Sequence, residues 1–347
     1  MASNTNMEIN LTKLLDGGHF DEPTGELCDF TLEEQNAATE AQGVQPSASS
    51  DFVPILGKTV TYIVACVLIN EKNEVLMMQE AKQSCAGKWY LPAGRMEKDE
   101  MIVDAAVREV LEETGLHVKI TSMLCVECAG GSWYRFVMTG SVISGELKTP
   151  ARADSESLQA KWIYDLNELS LRANDIIPLI ELGRNYANRK KSSDQQQVWH
   201  NSILPAIKSH RKNYLRVVVA IKKRSTNKLH ILLSEKNSHH LPNAEIHPGR
   251  SIHATLRKFL IEIFGAELPQ HRPHGILSVE HSPASNNFDG TESDGICITV
   301  LVAFRPALED VFLLGKCIWQ ELSPDVDKRL ISVLSAKNAT MALHVVR

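Results

Sequence analysis

The stretch that decides the fold spans residues 91–116 and reads LPAGRMEKDEMIVDAAVREVLEETGL. After its first ten positions apolar residues recur at helical spacing and Gly115 closes the pattern, which predicts a loop followed by a helix. On that helix Glu109, Glu112 and Glu113 share one face, because residues three and four apart lie together. Like charges four residues apart weaken a helix unless a cation compensates them. A hard divalent cation such as Mg²⁺ or Mn²⁺ prefers carboxylate oxygens and would do so; a solvated acidic face is the alternative.

The residues around these glutamates follow a longer pattern, G-x5-E-x7-R-E-U-x-E-E-x-G-U, where U is apolar. Its positions are filled by Gly94, Glu100, Arg108, Glu109, Val110, Glu112, Glu113, Gly115 and Leu116. The segment resembles the Nudix box at every defined position. The resemblance implies an α+β fold, a Nudix α/β/α sandwich around a mixed sheet, in which the box forms a loop, a helix and a second loop. It also implies hydrolysis of a nucleoside diphosphate linked to another group.

The resemblance further implies a role for each residue of the box. The implied catalytic and metal-binding acids are Glu109, Glu112 and Glu113, one of which would orient or deprotonate the attacking water. The backbone carbonyl of Gly94 is the implied fourth ligand of the Mg²⁺ or Mn²⁺ ion, since a residue without Cβ allows close backbone approach. The implied structural residues of the box are Glu100 and Arg108, which are expected to form a salt bridge, and Gly115.

A later segment, LPNAEIHPGRSIHATLRKFLIEIFGA at 241–266, resembles the first with most of its acids removed. β-Rich runs at 60–69 and 74–79 precede the first segment, and runs at 215–222 and 229–235 precede the second. Each pair of runs predicts a β-hairpin. Because several such anchors recur in the same order, the sequence indicates two copies of one fold, with chance similarity as the alternative.

The second copy lacks most of the acidic side chains of the first. Aligned without a gap, it places Phe259, Glu262 and Ile263 at the three acidic positions; a slip of one residue places Lys258, Ile261 and Glu262 there. Either alignment leaves one carboxylate, which is too few for a site that needs two or three. The second copy is therefore predicted to be a degenerate, catalytically inert Nudix-like domain.

Composition sets the broad class of protein. The chain has 347 residues, 43% of them hydrophobic and 23% charged, which suits two globular domains. The net charge of −5 is uneven, because residues 1–57 hold ten acids and one base. The remainder is mildly basic, which fits a small anionic substrate and falls short of a nucleic-acid-binding surface.

The sequence also gives expectations about location. No apolar run approaches the roughly 18 residues that a membrane span needs, so no membrane partner is expected. The first residues lack a basic region followed by an apolar one, and the seven cysteines are odd in number. Reduced thiols in an intracellular, cytoplasmic setting are therefore expected. The sequence leaves the oligomeric state open.

These observations divide the chain into five segments. The first is expected to be disordered, because acids mixed with Ser, Gln, Asn and Gly show no sustained period there. The predicted segments are a disordered acidic tail (1–57), a catalytic Nudix domain (58–185), a polar and basic linker (186–213), a degenerate Nudix-like domain (214–335) and a C-terminal tail (336–347).

The wider sequence resembles one branch of the family, the animal 8-oxo-dGDP phosphatases. The likeness is carried by EVLMMQEAKQSCAGKWYLPAGRME at 74–97, ESLQAKW at 156–162 and SDGICITVLVAFR at 293–305. It implies metal-dependent hydrolysis of oxidised purine nucleoside diphosphates, namely 8-oxo-dGDP, 8-oxo-GDP and 8-oxo-dADP, to monophosphate and phosphate. Such an activity would keep damaged nucleotides out of nucleic-acid precursors.

Four residues are candidates for binding this small-molecule substrate. Leu76 lies on a strand that is expected to line the nucleotide cleft. Arg95 follows the box glycine and is placed to reach a phosphate, or else faces solvent. Trp89 would stack on a purine, although a core position suits it better. Asp175 would accept a hydrogen bond from an altered purine edge, or serve as a helix N-cap or first-turn acid.

Two other functions are compatible with the sequence. One keeps the hydrolase but changes the substrate to ADP-ribose, another dinucleotide or a nucleotide sugar. The other is a nucleotide-binding or interaction module without turnover, and the intact set of three acids disfavours it.

Overall fold

The computed structural model describes residues 2–20, 27–189, 199–286 and 292–346. Within these ranges the helices are α1 (Ala2–Leu15), α2 (Leu32–Glu40), α3 (Ile102–Thr114), α4 (Ile177–Asn188), α5 (Ile252–Phe264) and α6 (Pro324–Ser335). The strands are β1 (Thr61–Cys66), β2 (Val75–Glu80), β3 (Trp89–Tyr90), β4 (Ala93–Arg95), β5 (Leu116–Cys128), β6 (Trp133–Gly145), β7 (Ser157–Ile163), β8 (Ala206–Ile207), β9 (Tyr214–Lys222), β10 (Leu229–Ser234), β11 (Asn243–Glu245), β12 (His271–His281), β13 (Ile296–Ala307), β14 (Cys317–Glu321) and β15 (Ala342–Val345). Among the described residues no helix is both long and apolar enough to span a membrane.

The first half of the chain, together with β15 from its C-terminal end, forms an α/β/α sandwich. Its main sheet has the order β15-β5-β6-β1-β4, in which β1 runs parallel to β6 and antiparallel to β4. A small sheet, β3-β2-β7, lies beside it. One face of the main sheet packs on the apolar side of α3, and the other face packs on α4. The α+β Nudix fold expected from the box is thus the observed one.

The second half contains a mixed sheet with the order β14-β10-β9-β13-β12-β8. Here β9 runs parallel to β13 and antiparallel to β11, as β1 does to β6 and β4. Helices α3 and α5 each have 13 residues and begin at Ile102 and Ile252, so the gapless alignment is the one that the structure favours. Two copies of one fold would share this strand pairing. The assignment of the second half as a degenerate Nudix-like copy stays a prediction.

The two predicted hairpins have different outcomes. Strands β9 and β10 pair as an antiparallel hairpin. The runs at 60–69 and 74–79 pair only beside their turn, where Ile69 forms an antiparallel bridge with Val75 and the N–H of Leu76 donates to the carbonyl of Leu68 at 3.0 Å. The predicted hairpin is therefore present but short, and β1 itself does not pair with β2. The difference follows from strand length, because the nine-residue β9 has room for both β10 and β11 along one edge. The six-residue β1 pairs with β4 along the corresponding edge, and β2 pairs with β3 and β7 instead.

The prediction of a disordered N-terminal tail is wrong. Helix α1 packs on the second sheet and on α6, and its residues Met7, Leu11 and Leu14 are buried there. These residues are spaced four and three apart, so they form one apolar helix face that the acidic composition of the segment conceals. Helix α2 begins with a complete capping box formed by Thr31 and Glu34. Residues 21–26 of this predicted tail lie outside the described residues.

Replacing Leu11 with alanine tests the packing of α1. The Leu11 side chain is fully buried, so the change should lower the free energy of unfolding by about 2–5 kcal/mol. Ile9→Ala is the matched control, because Ile9 lies on the same helix with 48% of its surface exposed. Urea denaturation of both variants measures the difference, and equal, small effects would mean that α1 does not pack.

The C-terminal tail prediction is also wrong, because β15 pairs in parallel with β5 of the first sheet. The predicted linker is partly regular, since α4 extends to Asn188 and β8 pairs with β12. Residues 190–198 lie outside the described residues. A single buried apolar cluster contains residues of both sheets, including Tyr62 and Leu215, so the two halves share a core.

Candidate active site

The box loop and helix place the acids at the edge of the first sheet. Strand β4 brings Gly94 beside β1, and α3 follows after a six-residue loop. The helix buries Ala105, Ala106 and Val110 against the sheet. It ends where Gly115 adopts φ of +79°, a left-handed conformation that glycine takes without a Cβ penalty.

Arg108 holds the acids of the box together. Its Nε and Nη2 donate to the two carboxylate oxygens of Glu100 at 2.7 and 2.9 Å, so the predicted salt bridge is present. Its Nη1 donates to Glu109 Oε1 at 2.8 Å and to Glu112 Oε2 at 3.0 Å. Its Nη2 also donates to the carbonyl of Arg95 at 3.1 Å, which ties the loop to the helix. These hydrogen bonds, that with Glu100 first, raise the pKa of Arg108 above its usual range.

The three box glutamates differ in environment. Glu112 is exposed, whereas Glu109 and Glu113 are buried. Burial raises the pKa of Glu109 against the opposing effect of Arg108. Burial also raises the pKa of Glu113 to about 9, although the backbone N–H of Ala93 donates to its carboxylate at 2.8 Å. Removing carboxylates from water favours the neutral form, so an adjacent cation would stabilise their ionised form.

The position of the Glu109 carboxylate requires a residue without a side chain at Gly94. A Cβ atom on Gly94 would lie 2.0 Å from Glu109 Oε1 and 2.2 Å from Glu109 Cδ. Both distances are far inside van der Waals contact, so no other residue type fits unless the carboxylate moves. The absence of a side chain at Gly94 thus creates the space in which the Glu109 carboxylate lies.

These residues fit a hard divalent cation. Oxygens of Glu109 and Glu112 converge on one nitrogen of Arg108, which supplies the compensating positive charge. Carboxylate oxygens are the donors that Mg²⁺ and Mn²⁺ prefer. Glu113 is part of the box core but does not line the cleft. Glu109 and Glu112 are accordingly the acids best placed to hold a cation, and the carbonyl of Gly94 stays a predicted ligand.

A cleft of about 940 Å³ opens beside the box. Its lining residues include Lys82, Tyr90, Gly94, Arg95, Arg108, Glu109, Glu112, Trp133, Arg135, Asp154, Arg172, Asp175 and Val346. One end of the cleft is therefore formed by the acids and Arg95, and the lining also includes aromatic and basic residues from β3, β6 and the segment before α4. A cleft with this mixture suits an elongated ligand that carries both negative charge and an aromatic ring.

A connected set of polar side chains forms one wall of the cleft. Arg135 Nη1 donates to Tyr90 Oη and to Asp175 Oδ2, both at 2.8 Å, and Tyr90 Oη donates to Asp175 Oδ2 at 2.9 Å. Arg135 Nε donates to Glu127 on the neighbouring strand. The Nη2 of Arg135 is buried and has no hydrogen-bond partner within the described part of the chain. Burial raises the pKa of Tyr90 to about 12, so the hydroxyl keeps its proton.

The structure separates the four predicted substrate-binding residues. Arg95 and Asp175 both line the cleft. Leu76 is fully buried and packs in the core under α3, so the prediction that it lines the cleft is wrong. Trp89 belongs to the core cluster on the α4 side of the sheet and has 7% of its surface exposed. It therefore takes the core position given as the alternative, and no ring face is open to a purine.

Sequence reasoning missed Tyr90, Glu127 and Arg135. A usable signal was present, because Arg135 stands between Tyr134 and Phe136 in an apolar strand and needs a buried partner there. That partner is Glu127, which lies directly across the antiparallel pair of β5 and β6.

The equivalent surface of the second half is filled by the N-terminal segment. Phe30 forms a bridge with Ala244, which occupies the position of Gly94, and its ring stacks on Phe259, which occupies the position of Glu109, at 6.1 Å. Asp29 accepts a hydrogen bond from the N–H of Asn243 at 2.8 Å. This surface therefore keeps only a smaller pocket of about 350 Å³, in which Phe259, Glu262 and Ile263 stand at the three acidic positions.

One other group of potential metal ligands lies in the second half. Among the described residues, the side chains of His210, Glu280 and Cys297 are the group whose ligand atoms lie within 4.8 Å of one another. Arg216 Nη1 already contacts Glu280 Oε1 at 2.6 Å, and Lys208 Nζ lies 3.8 Å from its other oxygen. Two cations beside the carboxylate disfavour a metal ion, so this group is a buried ion-pair cluster.

Comparison with known proteins agrees with the geometry. The family model described as NUDIX domain matches residues 60–182. The 8-oxo-dGDP phosphatase NUDT18 of Mus musculus is 35% identical over 300 residues, which cover 83% of this chain and 88% of that protein. The 8-oxo-dGDP phosphatase NUDT18 of Homo sapiens is 38% identical over 262 residues, which cover 74% and 77%. Among solved structures, a NUDIX hydrolase from Nitrosomonas europaea is 27% identical with a TM-score of 0.31, covering 40% of this chain and 97% of that one.

Proposed function

Because the chain belongs to the Nudix hydrolase family and is a phosphoanhydride hydrolase, we propose that its substrates are oxidised purine nucleoside diphosphates. The proposed substrates are 8-oxo-dGDP, 8-oxo-GDP and 8-oxo-dADP, each cleaved to the monophosphate and phosphate with Mg²⁺ or Mn²⁺. Relatives that are named 8-oxo-dGDP phosphatase and that match along most of their length support this proposal. The proposed role is removal of oxidised nucleotides from the precursor pool.

The diphosphate is proposed to lie over the acidic end of the cleft. A divalent cation bound there would neutralise phosphate charge and lower the pKa of its water. Glu109 and Glu112 would hold this cation, and Arg108 keeps both carboxylates in place through its fork of hydrogen bonds. Arg95 and Lys82 line the same cleft and are available to neutralise the phosphate oxygens.

The base is proposed to contact the polar wall. Oxidation at C8 of a purine adds a carbonyl and converts N7 from a hydrogen-bond acceptor into an N–H donor. Asp175 offers an acceptor and the guanidinium of Arg135 offers a donor, and both residues line the same wall of the cleft. They complement the altered edge of the oxidised base. In an ordinary purine N7 is a hydrogen-bond acceptor, and it would face the carboxylate of Asp175, which is also an acceptor. Oxidised guanine and oxidised adenine share this edge, which accounts for proposed substrates of both bases. The adjacent placement of Arg135 and Asp175 is the observation that carries the proposal.

A substrate panel tests the proposed function. Full-length protein is incubated with Mg²⁺ and 8-oxo-dGDP, dGDP, 8-oxo-dGTP, ADP-ribose or a nucleotide sugar, and the products are separated by chromatography. Phosphate and 8-oxo-dGMP from the first substrate, formed well above the rate for dGDP, are expected. AMP from ADP-ribose as the main product would instead assign the alternative hydrolase function. Measurable nucleotide binding with no product from any substrate would assign the non-catalytic binding module.

Replacing Asp175 with asparagine tests recognition of the base. The change removes the charged acceptor, and hydrogen bonds to charged groups contribute about 1.5–3 kcal/mol. The KM for 8-oxo-dGDP should therefore rise about 10- to 100-fold, while the rate with dGDP changes little. Steady-state kinetics with both nucleotides measure the loss of discrimination. Asp165→Asn is the matched control, because Asp165 is exposed and does not line the cleft. An unchanged KM for the oxidised nucleotide would remove Asp175 from base recognition.

A further inference from the structure

We propose that β15 is a positioning element of the nucleotide cleft, through which the second half of the chain holds the base-binding wall in place. The inference rests on the proposed role of Arg135 in base recognition. It assigns a function to a segment that packs outside the Nudix box and that follows the whole second half in sequence.

The segment before β15 is anchored to the second sheet. Met341 is fully buried and exchanges two backbone hydrogen bonds with Ile276 of β12, at 2.7 and 3.0 Å. The hydroxyl of Thr340 donates to the carbonyl of His274 at 3.0 Å. Gly275 lies so close that a Cβ there would be 2.3 Å from Thr340 Oγ1 and 2.6 Å from the carbonyl oxygen of Met341. The position of β15 is therefore fixed by the second half of the chain.

Strand β15 then adds to the edge of the first sheet beside the residues of the polar wall. Its His344 is the pairing partner of Glu127, and the N–H of Val346 donates to the carbonyl of Cys128 at 2.9 Å. Glu127 is the residue that binds Nε of Arg135. Val346 itself lines the cleft together with Arg135. The segment thus covers the strand that orients Arg135 and forms part of the cleft.

The ion pair between Glu127 and Arg135 is buried, and burial keeps the Arg135 side chain in a fixed orientation. Glu127 and Arg135 have only 8% and 7% of their side-chain surface exposed. An ion pair shielded from water is held more rigidly than one at the surface, where solvent screens it. Burial lowers the pKa of Arg135, but the interactions with Glu127, Tyr90 and Asp175 together more than offset this, so the net shift is upward. Loss of β15 would open the β5 edge to water and let the Arg135 side chain leave its fixed orientation.

The metal-binding end of the cleft should not share this dependence. The sheet order β15-β5-β6-β1-β4 puts β15 and β4 at opposite edges. The box residues are held by Arg108 and by the packing of α3 on β1, β2, β4, β5 and β7. Loss of β15 should therefore weaken nucleotide binding and base discrimination while the chemical step continues.

Two variants of the full chain test the proposal. The first ends at Met341 and so lacks β15, and the second is Gly275→Ala, which displaces the anchor without shortening the chain. Gly315→Ala is the control, because the nearest atom to its added Cβ is 3.7 Å away. Steady-state kinetics are measured on 8-oxo-dGDP and dGDP, and hydrogen exchange is followed at the amides of residues 125–128.

Both test variants should show faster hydrogen exchange at residues 125–128. The KM for 8-oxo-dGDP should rise about 10-fold or more, and the preference for the oxidised base should fall. The kcat should stay within a few-fold of the parent value. Faster exchange with unchanged KM and preference would overturn the proposal, as would a loss confined to kcat. If the parent protein prefers another nucleotide, the proposed substrate fails, and the same KM comparison on that nucleotide still decides the role of β15. A parent protein with no turnover on any nucleotide overturns both.

Discussion

Glu112→Gln should lower kcat by about 100-fold or more, with little change in the free energy of unfolding. The side chain is exposed, so the fold gains little from it. Its carboxylate shares Arg108 Nη1 with Glu109, which places it where a cation would bind. A neutral amide of the same shape removes one charge from a hard-cation site, and even indirect changes to such sites cost about 10- to 100-fold. Initial rates of phosphate release from the preferred substrate measure the effect.

Glu181→Gln is the matched control for this change. Glu181 is also an exposed glutamate on a helix, but it lies on α4 and does not line the cleft. The control should retain the kcat of the parent protein. If Glu112→Gln and Glu181→Gln behave alike, the carboxylate of Glu112 takes no part in the reaction.

Gly94→Ala should also abolish most activity, by displacing Glu109. The added Cβ would lie 2.0–2.3 Å from the Glu109 carboxylate atoms, so that side chain has to move. A displacement of about 1 Å in a catalytic group costs about 100-fold in rate. A fall in kcat/KM of that size is therefore expected, and it is measured with the same phosphate-release assay.

Gly249→Ala separates this effect from a general intolerance of alanine. The nearest atoms to a Cβ on Gly249 are 3.5 Å away in the His247 side chain, an ordinary contact. The control should keep full activity, and circular dichroism should show both variants folded. Full activity in Gly94→Ala would mean that Glu109 need not occupy its present position.

The sequence predicted the box accurately because its contacts are local. Helix α3, the ion pair of Arg108 with Glu100 and the end of the helix at Gly115 all depend on residues less than ten positions apart. Spacing on one helix is enough to place such side chains together. The polar wall is different, because Arg135 meets Asp175 across 40 residues and Tyr90 across 45. Only the folded chain brings those side chains together.

The N-terminal segment was mispredicted because composition outweighed pattern. Its acids suggested disorder, yet Met7, Leu11 and Leu14 carry a helical period. A short amphipathic helix of this kind is stable only when its apolar face is covered. The cover is the second sheet and α6, which are distant in sequence. The same holds for β15, whose place beside β5 no local pattern indicates.

The dependence of turnover on a divalent cation tests the central claim most directly. Full-length protein freed of metal with a chelator is mixed with 8-oxo-dGDP, and phosphate release is followed while Mg²⁺ is titrated back, in parallel with Glu112→Gln. The account predicts no turnover without the cation, saturable recovery in the parent protein, and recovery in the variant that is far weaker. Equal phosphate release with and without Mg²⁺ would contradict it.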